Sequence, residues 1–215
     1  MSNAAPDTQL GKIVFVGAGP GNPDLLTVRA REVLANSAIA VTDPQVMQGV
    51  RDAVAAALPV PQELLDAAEA EYAQMCADAK AKGARRKPPR PAPPTAAVLY
   101  EPAEDIVGQL RECLVEADGE DVIRLVTGNP LHRESIKGEI NAVASAGLEF
   151  QVVPGMSLPS TVPSFAGIAL GSTYTEADVT DGADWDALAN ATQPIVLQAT
   201  KEDLPVISDE LQKRG

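Results

Sequence analysis

The stretch from residue 12 to residue 34 constrains the fold most, because an apolar strand runs directly into a glycine turn and then a helix. Residues 13–16 are a continuous apolar run, which is typical of a parallel strand covered on both faces. Gly17, Gly19 and Gly21 follow and permit a tight turn. We expect a helix to begin at Pro23, with free amides at its start that favour an anionic ligand.

A dinucleotide site is one interpretation of this turn. Residues 39–41 predict a second strand that leads to Asp43, and NAD enzymes use an acidic residue at that place for the ribose. The spacing Gly-Ala-Gly-Pro-Gly argues against this interpretation, because Pro20 removes an amide where a pyrophosphate would need one. A nucleotide-binding oxidoreductase therefore stays an alternative.

The rest of the chain alternates apolar runs with amphipathic segments, which predicts an α/β fold with a parallel sheet. The predicted strands are residues 39–41, 96–100, 122–126, 150–153 and 195–199, and the predicted helices are residues 46–58, 61–82, 103–116, 133–146 and 202–213. Ligands of parallel sheets bind beyond the carboxyl ends of the strands. Asp43, Thr127 and Pro154 follow such ends, and we expect their loops to form one site.

Composition divides the chain into segments. Residues 1–10 are expected to be a flexible N-terminus, and residues 11–166 an N-terminal α/β lobe. Residues 59–100 are an insert in that lobe, with a helix and a basic, proline-rich stretch at residues 80–94 that cannot form regular structure. That stretch is expected to be an exposed connector, or else a contact for an anionic partner. Short polar pieces after Ala166 indicate an incomplete second lobe at residues 167–215.

Charge and cysteine usage exclude several function classes. The net charge of −13 disfavours nucleic acid and anionic membranes as partners. No apolar run could span a bilayer and the N-terminus lacks a signal pattern, so a cytoplasmic location is expected. Cys76 and Cys113 show no metal-like spacing and are predicted to be free thiols, and no metal site is expected.

Four segments, taken together, resemble the tetrapyrrole methylase family and, within it, the uroporphyrinogen-III C-methyltransferases. They read VGAGPGNPDLLTVRA at residues 16–30, AVTDPQV at residues 40–46, VIRLVTGNPL at residues 122–131, and a VVPG strand end with a small-residue helix within residues 146–173. The DPQV and GNPL variants look most like the methylase half of an actinobacterial fusion with uroporphyrinogen-III synthase. The resemblance implies a two-lobed class III methyltransferase fold, truncated here at its C-terminus. It also implies a homodimer and a fused or partner synthase.

The resemblance implies that the donor is S-adenosylmethionine, with S-adenosylhomocysteine as product. The acceptor would be uroporphyrinogen III, methylated to precorrin-2 in the siroheme and cobalamin branch of tetrapyrrole biosynthesis. Asp43 matches the catalytic strand-end aspartate of the family, whereas the family's partner lysine has no counterpart in residues 59–100. The positions that match donor-binding residues are Pro20, Thr127, Gly128, Asn129, His132, Ser157, Leu158 and Ala199. Thr127 and Asn129 depart from the family's GGDP motif.

A uroporphyrinogen carries eight carboxylates, so local basic groups would have to override the negative field of this chain. Basic side chains near the motifs are Arg29, Arg31, Arg124, Arg133 and Lys137, and the ordinary alternative for each is a solvated surface charge. The residues predicted to bind the substrate are Gly19, Gly21 and Arg124. A methylase-like ligand-binding domain with weak catalysis is a further alternative, because of the missing lysine and the altered GGDP motif.

Overall fold

The computed structural model describes residues 10–58, 60, 62–83, 86–91, 98–180 and 182–214. Within these residues the chain forms a five-stranded parallel sheet of order β3-β2-β4-β1-β5 and a separate two-stranded parallel sheet, β6-β7. The strands are β1 (Ile13–Gly17), β2 (Ser37–Thr42), β3 (Val98–Tyr100), β4 (Asp121–Val126), β5 (Phe150–Val153), β6 (Thr175–Asp178) and β7 (Ile195–Gln198). The prediction of an α/β fold with a parallel sheet is confirmed.

Helices cover both faces of the larger sheet. The helices are α1 (Val28–Leu34), α2 (Gln48–Ala57), α3 (Gln62–Ala81), α4 (Ile106–Glu116), α5 (Glu134–Ser145), α6 (Leu158–Phe165), α7 (Trp185–Ala189) and α8 (Leu204–Gln212). Those on the two faces are α1 and α2 on one side and α4 and α5 on the other. One hydrophobic core lies between the sheet and α1 and α2, and a second lies between the sheet and α4 and α5. β1 is buried along its whole length because both cores use it, which explains its uninterrupted apolar sequence.

The first helix begins later than the sequence predicts. Residues 23–25 form a single 3₁₀ turn, Leu26 and Thr27 are extended, and α1 begins at Val28 with the Thr27 hydroxyl accepting from the Ala30 amide at 3.1 Å. The amide of Asp24 donates to Asn22 Oδ1 at 2.9 Å. The helical turn predicted at Pro23 is therefore present, but as a 3₁₀ turn separate from α1, because caps from Asn22 and Thr27 divide the segment and satisfy amides that were expected to be free.

The second lobe contains β6, α7, β7 and α8. The sequence predicts β7 and most of α8, but it does not predict β6, which reads TEAD and has neither an apolar run nor a clear alternation. β6 pairs with β7 from Thr175 to Asp178, and none of its four residues is fully buried. A strand of this kind depends on its partner strand rather than on its own hydrophobic pattern.

The insert contains the predicted helix as α3, with a connector folded back on it. The Tyr72 hydroxyl donates to the Pro88 carbonyl at 3.2 Å, and the Arg90 guanidinium lies 5.7 Å from the centre of the Tyr72 ring. Arg90 also pairs with Glu69. The predicted flexible N-terminus at residues 1–10 falls almost wholly outside the described residues, as do residues 96–97 of the third predicted strand. Among the described helices none is both long and apolar enough to cross a membrane.

Candidate functional site

Asp43 begins a tight turn at the carboxyl end of β2. Its amide donates to Leu125 O of the neighbouring strand at 2.9 Å, and its own carbonyl accepts from the Val46 amide at 3.0 Å. Its Oδ1 accepts from the Gln45 amide at 2.9 Å, the local hydrogen bond that aspartate often makes in such turns. Asp43 is only 5% exposed, so these contacts fix a buried carboxylate at the edge of the sheet.

The second carboxylate oxygen of Asp43 lies against an arginine. Arg133 Nη1 donates to Asp43 Oδ2 at 2.6 Å, and the side chains of Arg133 and Asp43 are 12% and 7% exposed. Arg133 directly precedes α5, which covers one face of the sheet. Ile39 and Val41 point to that face, and Asp43 follows them at the same two-residue spacing. The fold thus gives Asp43 a cationic partner from another segment of the chain.

A further arginine holds the Asp43 turn. Arg51 lies on α2 and donates to two carbonyl oxygens of the turn, those of Asp43 and Val46, each at 3.0 Å. It also pairs with Glu101 at 2.8 Å. All three of its nitrogens are therefore engaged, and its role is to fix the turn.

Arg124, predicted to bind substrate, lies inside the fold. It is 2% exposed, and its Nε and Nη2 donate to both carboxylate oxygens of Glu139 at 2.8 and 2.9 Å. Its Nη1 donates to Leu125 O at 3.2 Å. In this structure the guanidinium connects β4 to α5 and has no nitrogen left for an acceptor.

Four glycines bring three loops together beside β1, β4 and β5. Gly19 and Gly128 exchange backbone hydrogen bonds at 3.2 and 3.0 Å. A Cβ on Gly17 would lie 2.4 Å from the Gly155 amide nitrogen, and one on Gly155 would lie 2.2 Å from Gly128 O. Only residues without a side chain allow the backbones to approach this closely. The Gly19 amide, predicted to meet substrate, is used in this contact.

Three of the residues predicted to bind the donor, Pro20, Leu158 and Ala199, line two neighbouring cavities that both border α6. Leu158 and Ala199 line a cavity of about 230 Å³ between α6 and β7. Pro20 lines the other cavity, of about 210 Å³. Val162 borders both cavities. Each is smaller than the usual range for a ligand pocket, so neither cavity would enclose a ligand by itself.

The loop after β4 has features that fit a bound donor. Gly128 has a φ of +70°, and a Cβ there would meet only the tip of the Leu158 side chain, 2.6 Å away. Thr127 Oγ1 is buried and has no hydrogen-bond partner among the described residues. A backbone cradle and an unsatisfied hydroxyl suit a ligand that carries amino and carboxylate groups. Thr127, Gly128 and Asn129 would hold such a group.

The other predicted donor residues lie around this loop. His132 Nδ1 lies 3.4 Å from Glu176 Oε1 of β6, so this contact connects the β4 loop to the second lobe. Ser157 precedes α6, and its hydroxyl is 2.8 Å from the Ser160 hydroxyl. Gly21 has a φ of +111°, and a Cβ there would meet Met47 Sδ at 2.2 Å, so the first turn packs on the loop that follows Asp43.

The remaining basic candidates and the cysteines have ordinary surroundings. Arg29 and Lys137 form exposed pairs with Glu32 and Glu134 one helical turn away, and Arg31 donates to the Pro23 carbonyl. Burial, helped by nearby glutamates, raises the pKa of the Cys113 thiol to about 11, which makes it a poor nucleophile. No group of three potential metal-ligating side chains is present in the described part of the chain.

Sequence reasoning did not find the partners of Asp43. It named Arg133 only as one of five basic residues near the motifs, and it did not single out Arg51. A signal for Arg133 was available, because it lies six residues beyond Thr127, at the strand end that the alternation predicts beside Asp43.

Comparisons with known proteins agree on one family. The family model for tetrapyrrole (corrin/porphyrin) methylases matches residues 12–215. Among curated proteins, the siroheme synthase of Methylobacillus flagellatus is 30% identical over 215 residues, and siroheme synthase 1 of Yersinia enterocolitica is 27% identical over 215 residues. Each alignment covers 95% of this chain but 39% of the relative. The chain thus spans about two fifths of the length of these relatives.

Solved structures share the fold. Uroporphyrin-III C-methyltransferase from Thermus thermophilus, in complex with S-adenosylhomocysteine, superposes with a TM-score of 0.63 at 20% identity, covering 95% of this chain and 73% of that one. The cobalt precorrin-4 methyltransferase CbiF gives a TM-score of 0.63 at 19% identity, covering 99% and 79%. The two-lobed arrangement is therefore that of class III methyltransferases.

Proposed function

Because this chain belongs to the tetrapyrrole methylase family, we propose that it methylates carbon atoms of uroporphyrinogen III with S-adenosylmethionine as donor, giving precorrin-2 and S-adenosylhomocysteine. The observation that supports the proposal is the position of Asp43, a buried carboxylate at the strand edge beside the glycine loops. The relatives named siroheme synthase and uroporphyrin-III C-methyltransferase support the choice of acceptor.

The donor supplies an electrophilic methyl group bound to a sulfonium. The task of the protein is then to hold the donor and the acceptor carbon in line, which can contribute roughly 7–11 kcal/mol toward the barrier. In this proposal Thr127, Gly128 and Asn129 bind the polar end of the donor, and Leu158 and Ala199 contact its apolar parts. In the same proposal Pro20 contacts the donor, and Gly19 and Gly21 of the first glycine turn face the acceptor.

Asp43 is the proposed base that accepts the proton lost from the macrocycle after the methyl group has bonded to a substituted pyrrole carbon. Its two oxygens each have one partner, the Gln45 amide and the Arg133 guanidinium. A carboxylate oxygen has two lone pairs, so each oxygen keeps one site for a proton. The gap left by the family's lysine is filled by Arg133, whose guanidinium serves as a hydrogen-bond donor to Asp43 rather than as a general acid.

A methylase-like domain that binds the donor but transfers methyl groups poorly is the second candidate. The observation that favours it is the engagement of both Asp43 oxygens, which is also what a purely structural turn would show. The nucleotide oxidoreductase has no such support, because the Gly19 amide that would meet a pyrophosphate is bonded to Gly128.

The decisive experiment measures transfer of a labelled methyl group to uroporphyrinogen III, with calorimetric titration of S-adenosylhomocysteine and NADH alongside. We expect binding of the thioether, no binding of NADH, and methylated product. Asp43→Asn keeps the turn acceptor but removes the base, so kcat should fall about 10²- to 10⁴-fold while the Kd of S-adenosylhomocysteine stays unchanged.

Asp52→Asn is the matched control. Asp52 is an exposed carboxylate on α2 that accepts from Gln48, and its replacement should leave both kcat and Kd at wild-type values. Binding of S-adenosylhomocysteine without any methyl transfer would favour the second candidate. Tight binding of NADH alone would contradict both.

A further inference from the structure

Three arginines lie at or near the Asp43 edge of the sheet, and they differ in how completely their donors are used. Arg51 has acceptors for its Nε, Nη1 and Nη2. Arg124 likewise has acceptors for all three nitrogens. Among the described residues, Arg133 has a single acceptor, Asp43 Oδ2, which takes Nη1. Arg133 is thus the under-used guanidinium of the three.

The free part of Arg133 has a defined geometry. Nε is buried without a partner, and no described residue accepts a hydrogen bond from Nη2. In the planar guanidinium, Nε and Nη2 form one edge, while Asp43 takes Nη1 on the other side. An unoccupied Nε–Nη2 edge is the fork that binds a carboxylate through two parallel hydrogen bonds.

Arg133 Nε is one of several buried polar atoms that have no hydrogen-bond partner among the described residues. The buried side-chain atoms without hydrogen-bond partners in the described residues are Thr42 Oγ1, Thr127 Oγ1 and Arg133 Nε. Thr42 ends β2 and Thr127 directly follows the neighbouring strand β4, and the contact of Arg133 with Asp43 brings its guanidinium to the same edge of the sheet. Buried polar atoms are normally satisfied, so a concentration of unsatisfied ones indicates a place where a polar ligand completes the bonding.

The position of Arg133 at the start of a helix is electrostatically unfavourable for a cation. It is the residue before the first turn of α5, where the helix dipole favours an anion, and its side chain makes no capping hydrogen bond. Residues that depart from the preferences of their local structure, as Arg133 does at the start of α5, are most often found at functional sites. The side chain is 12% exposed, so the guanidinium still borders solvent at the open edge of the sheet.

We propose that Arg133 is a specificity residue that binds one carboxylate of the acceptor through its Nε–Nη2 edge while Nη1 stays on Asp43. This inference rests on the proposed function, in which the acceptor is a polycarboxylate. The single guanidinium then ties the acceptor to the base, so that a carboxylate side chain of the tetrapyrrole sets the position of its ring relative to Asp43. It also supplies a local positive charge against the net charge of −13.

The test compares Arg133→Gln, Arg133→Lys and the control Arg29→Gln, an exposed arginine paired with Glu32. Two measurements are made on each variant: the KM for uroporphyrinogen III, and the Kd of its oxidised form uroporphyrin III from fluorescence titration in the presence of S-adenosylhomocysteine. Loss of a charge-assisted carboxylate contact should raise KM and Kd for Arg133→Gln about 10- to 100-fold. KM should change more than kcat.

Arg133→Lys should recover part of the loss, since it keeps the charge but not the fork, and Arg29→Gln should match the wild type. An unchanged Kd of S-adenosylhomocysteine in all variants shows that they are folded. Wild-type KM and Kd in Arg133→Gln would overturn the inference while leaving the proposed function intact. Failure of the wild-type protein to methylate uroporphyrinogen III or bind uroporphyrin III would overturn both.

Discussion

Gly17 and Gly138 would respond in opposite ways to the same added methyl group. Gly17 ends β1 inside the glycine cluster, where a Cβ would lie 2.4 Å from one backbone atom and 2.5 Å from another. Gly138 is exposed within α5, and a Cβ there would meet nothing within 4 Å. The first glycine is required by packing, whereas the second only adds flexibility to the unfolded chain.

Gly17→Ala should therefore lower the free energy of unfolding by about 1–3 kcal/mol or more, because backbone atoms cannot move aside cheaply. Gly138→Ala should raise it by as much as about 1 kcal/mol through helix propensity. Urea titration followed by circular dichroism measures both values. Equal stability of the two variants would contradict the close approach of the loops at Gly17 and Gly155.

For single residues, the sequence predicts the place along a strand or helix better than it predicts which other side chains the residue contacts. Asp43 could be placed at a strand end because an apolar run precedes it, and the structure places it there. Arg124 was expected to face substrate, but the alternation of β4 turns its side chain toward α5 and Glu139. Such pairings depend on which helix covers which face, and a local pattern does not contain that information.

The pair of Glu139 and Arg124 is the main polar link between α5 and β4. The side chain of Arg124 is 3% exposed, so removing its partner would leave a buried charge without a counterion. We expect Glu139→Ala to lower the free energy of unfolding by about 3 kcal/mol. Glu32→Ala removes an exposed pair on α1 and should change it by less than about 1 kcal/mol.

Thermal or chemical unfolding of both variants tests this link between the two elements. A small effect of Glu139→Ala, similar to that of Glu32→Ala, would show that Arg124 finds another acceptor or reaches water. The result also bears on the site, because α5 begins directly after Arg133 and its position depends on what holds the helix to the sheet.

The sequence predicts whether a segment is a helix or a strand where burial gives its apolar residues a clear periodicity. The continuous apolar run of β1, the largely apolar β4 and the amphipathic α4 and α5 are predicted within a few residues of their observed bounds. The prediction fails at the first helix, where Thr27 caps a later start, and at β6, whose polar residues gain order only by pairing. Caps and strand pairs are contacts that hydrophobic periodicity does not record.

The two lobes differ in how much apolar surface they bury. β1 is buried at every residue, whereas β6 and β7 contain no fully buried residue and α8 contains none either. Local stability follows the density of buried contacts. The second lobe should therefore open at a lower free energy than the five-stranded sheet.

Hydrogen exchange read by mass spectrometry tests this difference. Peptides from β1 and β4 should take up deuterium more slowly than peptides from β6 and β7. Saturating S-adenosylhomocysteine should slow exchange in β7, because Ala199 beside it lines the proposed donor cavity. Equal protection of the two sheets without ligand would contradict the assignment of a weaker second lobe.

The parallel sheet also separates the candidate site from the connector after α3. Every candidate loop leaves a strand at its carboxyl end, whereas the connector leads into β3 at Val98, on the amino side of the same sheet. A fluorescent reporter or affinity tag inserted between Arg86 and Lys87 would therefore enter a segment that contributes no residue to the candidate site. The connector is the natural attachment point for a biosensor or an immobilised form of this protein.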